Sequence, residues 1–411
     1  MYRELTAKLV TTIRRRVSNW RFLLMMQLKK EYLTDAISSK SFYHVLLKHI
    51  ENKDFSCVAL KEAYETIYGE IFDDPMPENF LLQCYQYTLS KSFPDAVTIN
   101  LNFSNKPYEL YLLMLRVFCE FQKQSEDETF MSVYPFDLLS KNEVLNLEDQ
   151  SEYKKFSEAF SDQYIYEMMK LNYEVTGHST IEHILGVHYL ALKIARQLKA
   201  KGVPIDLGRV SGAAAGHDIG KFGCRPEESS KIAYYHYYYT YHWFSELEIK
   251  YIKNVAVYHS TWDLELESLS VESLVLIYSD FCVKRDKSKA GNFKMKFLSV
   301  EESFKVILEK LENVDDKKKK RYERVYFKLK NFDMYLESLG VQTVIENYKG
   351  HSIPKNDSVY KKVYDILDHG QNITDHIKVL AIEKSIQLMH QLRHVDSLNE
   401  LIQVAKMRKM F

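Results

Sequence analysis

The sequence predicts an all-α protein. Breakers are scarce: 13 Gly and 8 Pro in 411 residues leave long stretches free to stay helical. Apolar residues recur three and four apart along most of the chain, the period of a helix with one buried face. Capping-box sequences, Ser followed three residues later by Glu, stand at Ser179 to Glu182, Ser245 to Glu248 and Ser397 to Glu400, and each predicts a helix start.

Residues 1–165 read as a helical region in which Pro75, Pro77, Pro94, Pro107 and Pro135 separate amphipathic helices. No catalytic grouping stands out there, and His44 and His49 read as ordinary histidines. Lys141 to Glu152 is polar and reads as the connection to a central region, 166–295. There a helix is expected from Thr180, with His183, Val187, Leu190 and Ile194 on one face. Gly202 and Pro204 end it and Asp206 caps the next. On that next helix Leu207, Val210, Ala214 and His217 share a stripe, and Ala213-Ala214-Ala215-Gly216 lets a neighbour approach closely. The box at Ser245 predicts a helix carrying Ile252, Val255 and His259 inward. A last helix, Val271 to Val283, places Leu276 with Asp280. Residues 296–411 are again helical and resemble a HEAT-like array without a fixed period. The run Lys317 to Arg321 reads as a solvated stretch or an anion site. Leu398, Leu401, Ile402 and Ala405 make an apolar stripe that expects a partner, either the chain's own body or another subunit.

Lys plus Arg equals Asp plus Glu, 56 each, so no global field favours nucleic acid or an anionic membrane. The five Cys are scattered without a Cys-x-x-Cys pair, which fits free thiols in a reducing, cytoplasmic setting. Beside Arg14-Arg15-Arg16, the apolar run Phe22 to Met26 is too short for a signal segment or a membrane span.

Gly216-His217-Asp218-Ile219-Gly220-Lys221 is the most informative stretch. Adjacent His and Asp side chains on a helix point in neighbouring directions and can share one ion if other ligands converge. His183, His242, His259 and Asp280 are available to do so. Burying such groups is costly unless they are paired or metal-bound, so a divalent metal is the economical common explanation. Imidazole and carboxylate ligands suit Mn, Fe, Co, Ni, Zn or Mg, and the lack of Cys argues against a structural zinc. Lys221, one turn past His217, reads as a cation for phosphoryl oxygens or for the helix end. His178 reads as a loop residue and His188 faces away from His183, while His236 competes with His242 as a ligand. Tyr234 to Trp243 is almost wholly aromatic and reads either as core cover or as a wall that stacks a nucleobase.

The order His183, His217-Asp218, His242, His259, Asp280, with Gly220-Lys221 after the pair, resembles the HD superfamily of metal-dependent phosphohydrolases over residues 170–290. The resemblance implies a first metal on His183, His217, Asp218 and Asp280. It also implies, as in binuclear members, a second on His242 and His259 around a shared Asp218. It implies hydrolysis of a phosphomonoester or phosphodiester by metal-activated water. Asp218 and Lys221 are the expected catalytic residues and Lys221 and Arg225 the expected contacts to substrate phosphate, Arg225 reading alternatively as a surface residue. Members that hydrolyse cyclic di-GMP carry a His-His pair and Gly-Tyr-Pro. This chain has Tyr258-His259-Ser260-Thr261-Trp262-Asp263, so that activity is not expected. A nucleotide or similar small molecule is the expected substrate. The alternatives are a metal nuclease on single-stranded nucleic acid and a non-catalytic sensor or scaffold with helical interaction flanks.

Overall fold

The computed structural model describes residues 40–52, 54–101, 105–124, 138–260, 264, 269–286, 294–310 and 316–343. Among them the fold is all-α apart from one two-stranded hairpin. The readings at Arg14 to Arg16, Phe22 to Met26, Pro135 and the whole Leu398 stripe lie outside these residues. So do the box at Ser397 and most of the HEAT-like stretch.

The first region contains α1 (Lys40–Glu51), α2 (Cys57–Ile71), α3 (Phe80–Ser92), α4 (Lys106–Gln124), α5 (Lys141–Val144) and α6 (Gln150–Asp162). The prolines act as their chemistry requires. Pro75 and Pro77 lie between α2 and α3, Pro94 opens a 3-10 turn, and Pro107 sits in the first turn of α4, where a missing N–H costs nothing. Tyr64, Phe80, Tyr108 and Tyr111 fill the interior of this region. The three tyrosine hydroxyls are satisfied, Tyr64 donating to the Pro107 carbonyl at 3.1 Å, Tyr111 to that of Cys57 at 2.7 Å and Tyr108 to Gln83, as burial demands.

The central helices are α7 (Ile165–Thr176), α8 (Ile181–Ala200), α9 (Leu207–Gly216), α10 (Gly220–Gly223), α11 (Ile232–Glu246), α12 (Tyr251–Val257) and α13 (Val271–Cys282). A buried Arg116–Glu167 ion pair joins α4 to α7. Helix α9 is the hub, its Ala213, Ala214 and Ala215 fully buried. The small residues do what their size allows. A Cβ on Gly212 would lie 2.8 Å from Ile252 of α12, and one on Gly216 would lie 2.7 Å from Phe244 of α11. Asp206 caps α9 as expected, accepting from the Arg209 N–H at 2.8 Å. Gly202 leaves α8 with φ of 81°, a conformation that favours glycine.

Beyond α13 come β1 (Val283–Asp286) and β2 (Lys294–Phe297), antiparallel with Val283 opposite Phe297. The hairpin packs on α8 at Gly186, where an added Cβ would meet Val283 at 2.8 Å and Met295 at 3.2 Å. Last come α14 (Val300–Lys310) and α15 (Asp316–Ser338). Tyr322, Val325, Leu329, Phe332 and Leu336 of α15 are buried, three and four residues apart on one helical face. Tyr278 of α13 donates to Asp333 of α15 at 2.7 Å.

The box at Ser245 is not a helix start. Helix α11 runs through Ser245, whose hydroxyl donates back to the Tyr241 carbonyl at 2.7 Å. The next helix, α12, is capped instead by Glu152 of α6, which accepts from the N–H groups of Tyr251 at 2.6 Å and Ile252 at 3.2 Å. All five cysteines are free, and Cys224 alone is not fully buried. No helix among the described residues is long and apolar enough to cross a membrane.

Candidate metal centre

The first turn of α8, the α9–α10 junction, α11, the residue pair after α12, and α13 converge on one point. His183 Nε2 lies 2.8 Å from Asp280 Oδ1 and 3.9 Å from Asp218 Oδ2. His217 Nε2 lies 3.6 Å from Asp218 Oδ2 and 4.0 Å from Asp280 Oδ1. The other Asp218 oxygen, Oδ1, faces His236 Nε2 at 3.6 Å and His259 Nε2 at 3.9 Å. Two triads result, His183–His217–Asp280 and Asp218–His236–His259, the candidate ligand atoms of each within 4.8 Å of one another. Asp218 stands between them with one oxygen toward each.

The tautomers follow from the backbone. His217 Nδ1 is 2.9 Å from the Ala214 carbonyl, His236 Nδ1 2.8 Å from that of Ile232, and His259 Nδ1 2.6 Å from that of Ala256. A carbonyl only accepts, so each Nδ1 carries the proton. Burial holds the rings neutral, lowering His217 and pushing His236 and His259 down to about 4. Each Nε2 therefore presents a lone pair. That of His217 is buried with no hydrogen-bond partner. Those of His236 and His259 face each other at 3.4 Å, two acceptors with no proton of their own between them. A cation satisfies both conditions, and a Nδ1–H tied to a carbonyl is the usual support for a metal-bound imidazole.

The carboxylates fit the same demand. Burial pushes Asp218 up, but the Lys221 ammonium and the neighbouring imidazoles outweigh it and hold the carboxyl well below its ordinary range. Burial likewise pushes Asp280 up, and the hydrogen bond with His183 reverses the direction. The donor set is nitrogen and carboxylate oxygen without sulfur, suited to a transition metal such as Mn, Fe, Co, Ni or Zn rather than to a thiolate-bound structural zinc.

Local packing explains the convergence. Gly220 lies against the α11 backbone, where a Cβ would sit 2.0 Å from the His236 carbonyl oxygen and 2.4 Å from Thr240 N. Thr240 ties the contact, its hydroxyl accepting from Gly220 N at 3.1 Å and donating to the His217 carbonyl at 3.2 Å. Only glycine lets α10 bring Asp218 that close to His236. At the far end of α10, a Cβ on Gly223 would meet Phe93 at 2.7 Å, so the first region buttresses the centre.

His183, His217, Asp218, His259 and Asp280 are thus brought together. His242 is not. It is exposed, beside Tyr238 with ring centroids 4.2 Å apart. The inward face of α11 is His236, Thr240, Trp243 and Phe244, and at about 100° per residue a side chain six positions past His236 points away. His236 takes the place read for His242. Lys221 reaches Asp218 Oδ2 with its ammonium, so it stands at the rim. Arg225 is exposed, its N–H donating to Glu228 at 2.9 Å. His178 is an exposed loop residue, and His188 bonds Ser211 at 3.1 Å. Tyr237 was not singled out from the sequence. Its ring stacks on His259, centroids 4.7 Å apart, and lies 3.9 Å from that of His236.

No family model, no curated protein and no solved structure matches this chain. What it does has to be argued from these residues.

Proposed function

We propose that the chain is a metal-dependent phosphohydrolase of the HD type, acting on a phosphoester of a nucleotide or a similar molecule. The observation that carries the reading is the set of neutral imidazoles whose Nε2 lone pairs converge on a buried carboxylate. One ion would be held by His183, His217 and Asp280 and a second by His236 and His259, with Asp218 offering an oxygen to each. When bound, divalent ions supply Lewis acidity toward a phosphoryl oxygen and a water nucleophile at neutral pH.

The protein's own groups do the rest. Backbone carbonyls fix each imidazole plane and tautomer. The Lys221 ammonium, about one-third exposed (29%), can turn from Asp218 to charge developing on the phosphoryl oxygens. Arg225 lies farther out and is a contact for a larger substrate.

The test is metal content after gentle purification, then turnover on a panel of phosphomonoesters and phosphodiesters before and after chelation and add-back. Activity that depends on Mn, Co, Fe, Ni, Zn or Mg is the expected result. Full activity in metal-free protein would sink the proposal.

A further inference from the structure

Most of the aromatic run of α11 is not used by the metal centre, and the fold leaves one side of it exposed. Tyr234, Tyr238 and Tyr241 are 77%, 58% and 47% exposed. Spaced four and three apart, they form one stripe on the outer side of α11. Between Lys231 and Glu246 no Lys, Arg, Asp or Glu interrupts it. Cations flank it: Lys253 Nζ lies 4.3 Å from the Tyr241 ring centroid, and Lys231 Nζ 5.9 Å from that of Tyr235. On the adjoining face of the same helix, three residues past Tyr234 and four before Tyr241, Tyr237 stacks on His259. Rings thus lead from a lysine-bordered stripe to the metal centre.

We propose that this tyrosine face binds single-stranded nucleic acid and presents it to the metal centre, an inference that takes its direction from the phosphohydrolase reading above. Exposed rings bordered by lysines are how sequence-tolerant single-strand binders work, bases stacking on the aromatics while the cations track phosphates. A duplex hides its base faces, so the face selects single strands. The stripe rises about 10 Å from Tyr234 to Tyr241, more than one base covers, which favours an oligonucleotide over a mononucleotide. The neutral charge of the whole chain does not oppose this, because a local patch is what a polyanion meets.

The test uses the full chain and a fluorescein-labelled single-stranded 20-mer of mixed sequence. Anisotropy is read in EDTA at several salt concentrations, so that binding is separated from turnover. The expected result is that Tyr234→Ala/Tyr238→Ala/Tyr241→Ala, retaining wild-type circular dichroism, binds about tenfold or more weakly. Lys231→Ala/Lys253→Ala should flatten the salt dependence. No binding by the wild-type chain, or a triple variant within about twofold of it, overturns the platform. Turnover of bis(p-nitrophenyl) phosphate by the metal-loaded wild type is measured alongside. Tyrosine-dependent binding without any such turnover supports the platform and removes the catalytic reading alone.

Discussion

A buried imidazole that donates Nδ1–H to a carbonyl keeps an Nε2 lone pair that needs a donor or a cation, at a cost of about 1–3 kcal/mol if it finds neither. His217 is fully buried in that state, and His236 and His259 repeat it. The contrast between His236 and His242 follows directly. His236→Ala should lower the Mn or Co bound per chain from two toward one, measured by equilibrium dialysis, because it removes one of the three groups of its triad. His242→Ala should leave the stoichiometry unchanged, since its ring lies outside among exposed tyrosines. The reverse pattern would return the second triad to the assignment first read from the sequence. That ambiguity had a physical origin. In α11 nearly every side chain is aromatic, so hydrophobicity does not mark the buried face, and either histidine suits a family-like order. The periodic placement of His236, Thr240, Trp243 and Phe244 was there to be read, but only once the helix was known to continue past Ser245. Elsewhere, polar residues on the other faces made His183, His217, His259 and Asp280 readable as inward.

At the scale of elements, local signals served where the cap and the helix are neighbours in sequence. Asp206 caps α9, and Gly202 ends α8. They failed at α12, whose N-terminal donors are satisfied by Glu152, about a hundred residues earlier in the chain. No window of sequence holds both partners. The hairpin after α13 was missed for a similar reason, since its apolar face is defined by α8 at Gly186. Glu152 has a further consequence. It fixes the start of α12, and His259 follows two residues after that helix ends. Glu152→Ala leaves buried N–H groups without an acceptor and should destabilise the chain by about 1–3 kcal/mol, read by urea unfolding. It should also weaken metal binding at the second triad more than at the first. Wild-type stability in this variant would show that water replaces the carboxylate and that α12 does not depend on α6.

Over the whole molecule, the candidate ligands span residues 183 to 280 and come from α8, α9–α10, α11, the segment after α12, and α13. An ion bound there ties together helices that otherwise meet through small residues and apolar contacts, with α3 behind α10 at Gly223 and Phe93. Unfolding separates these ligands, so the folded chain binds the metal far better than the unfolded one. Linkage then sets the size of the effect. Free metal at a hundredfold its Kd stabilises a protein by about 2.7 kcal/mol, which for a domain of this size is a rise in Tm of several degrees. Mn or Co should therefore raise Tm, EDTA should remove the rise, and Ca should give little, because it prefers an all-oxygen shell to imidazole. His217→Ala should abolish the rise, since it deletes a buried ligand atom that has no hydrogen-bond partner. A chain whose Tm ignores Mn and Co, or whose His217→Ala form responds as the wild type does, would mean that the imidazoles and carboxylates form a closed structural network. The metal reading, and the chemistry built on it, would then fall together.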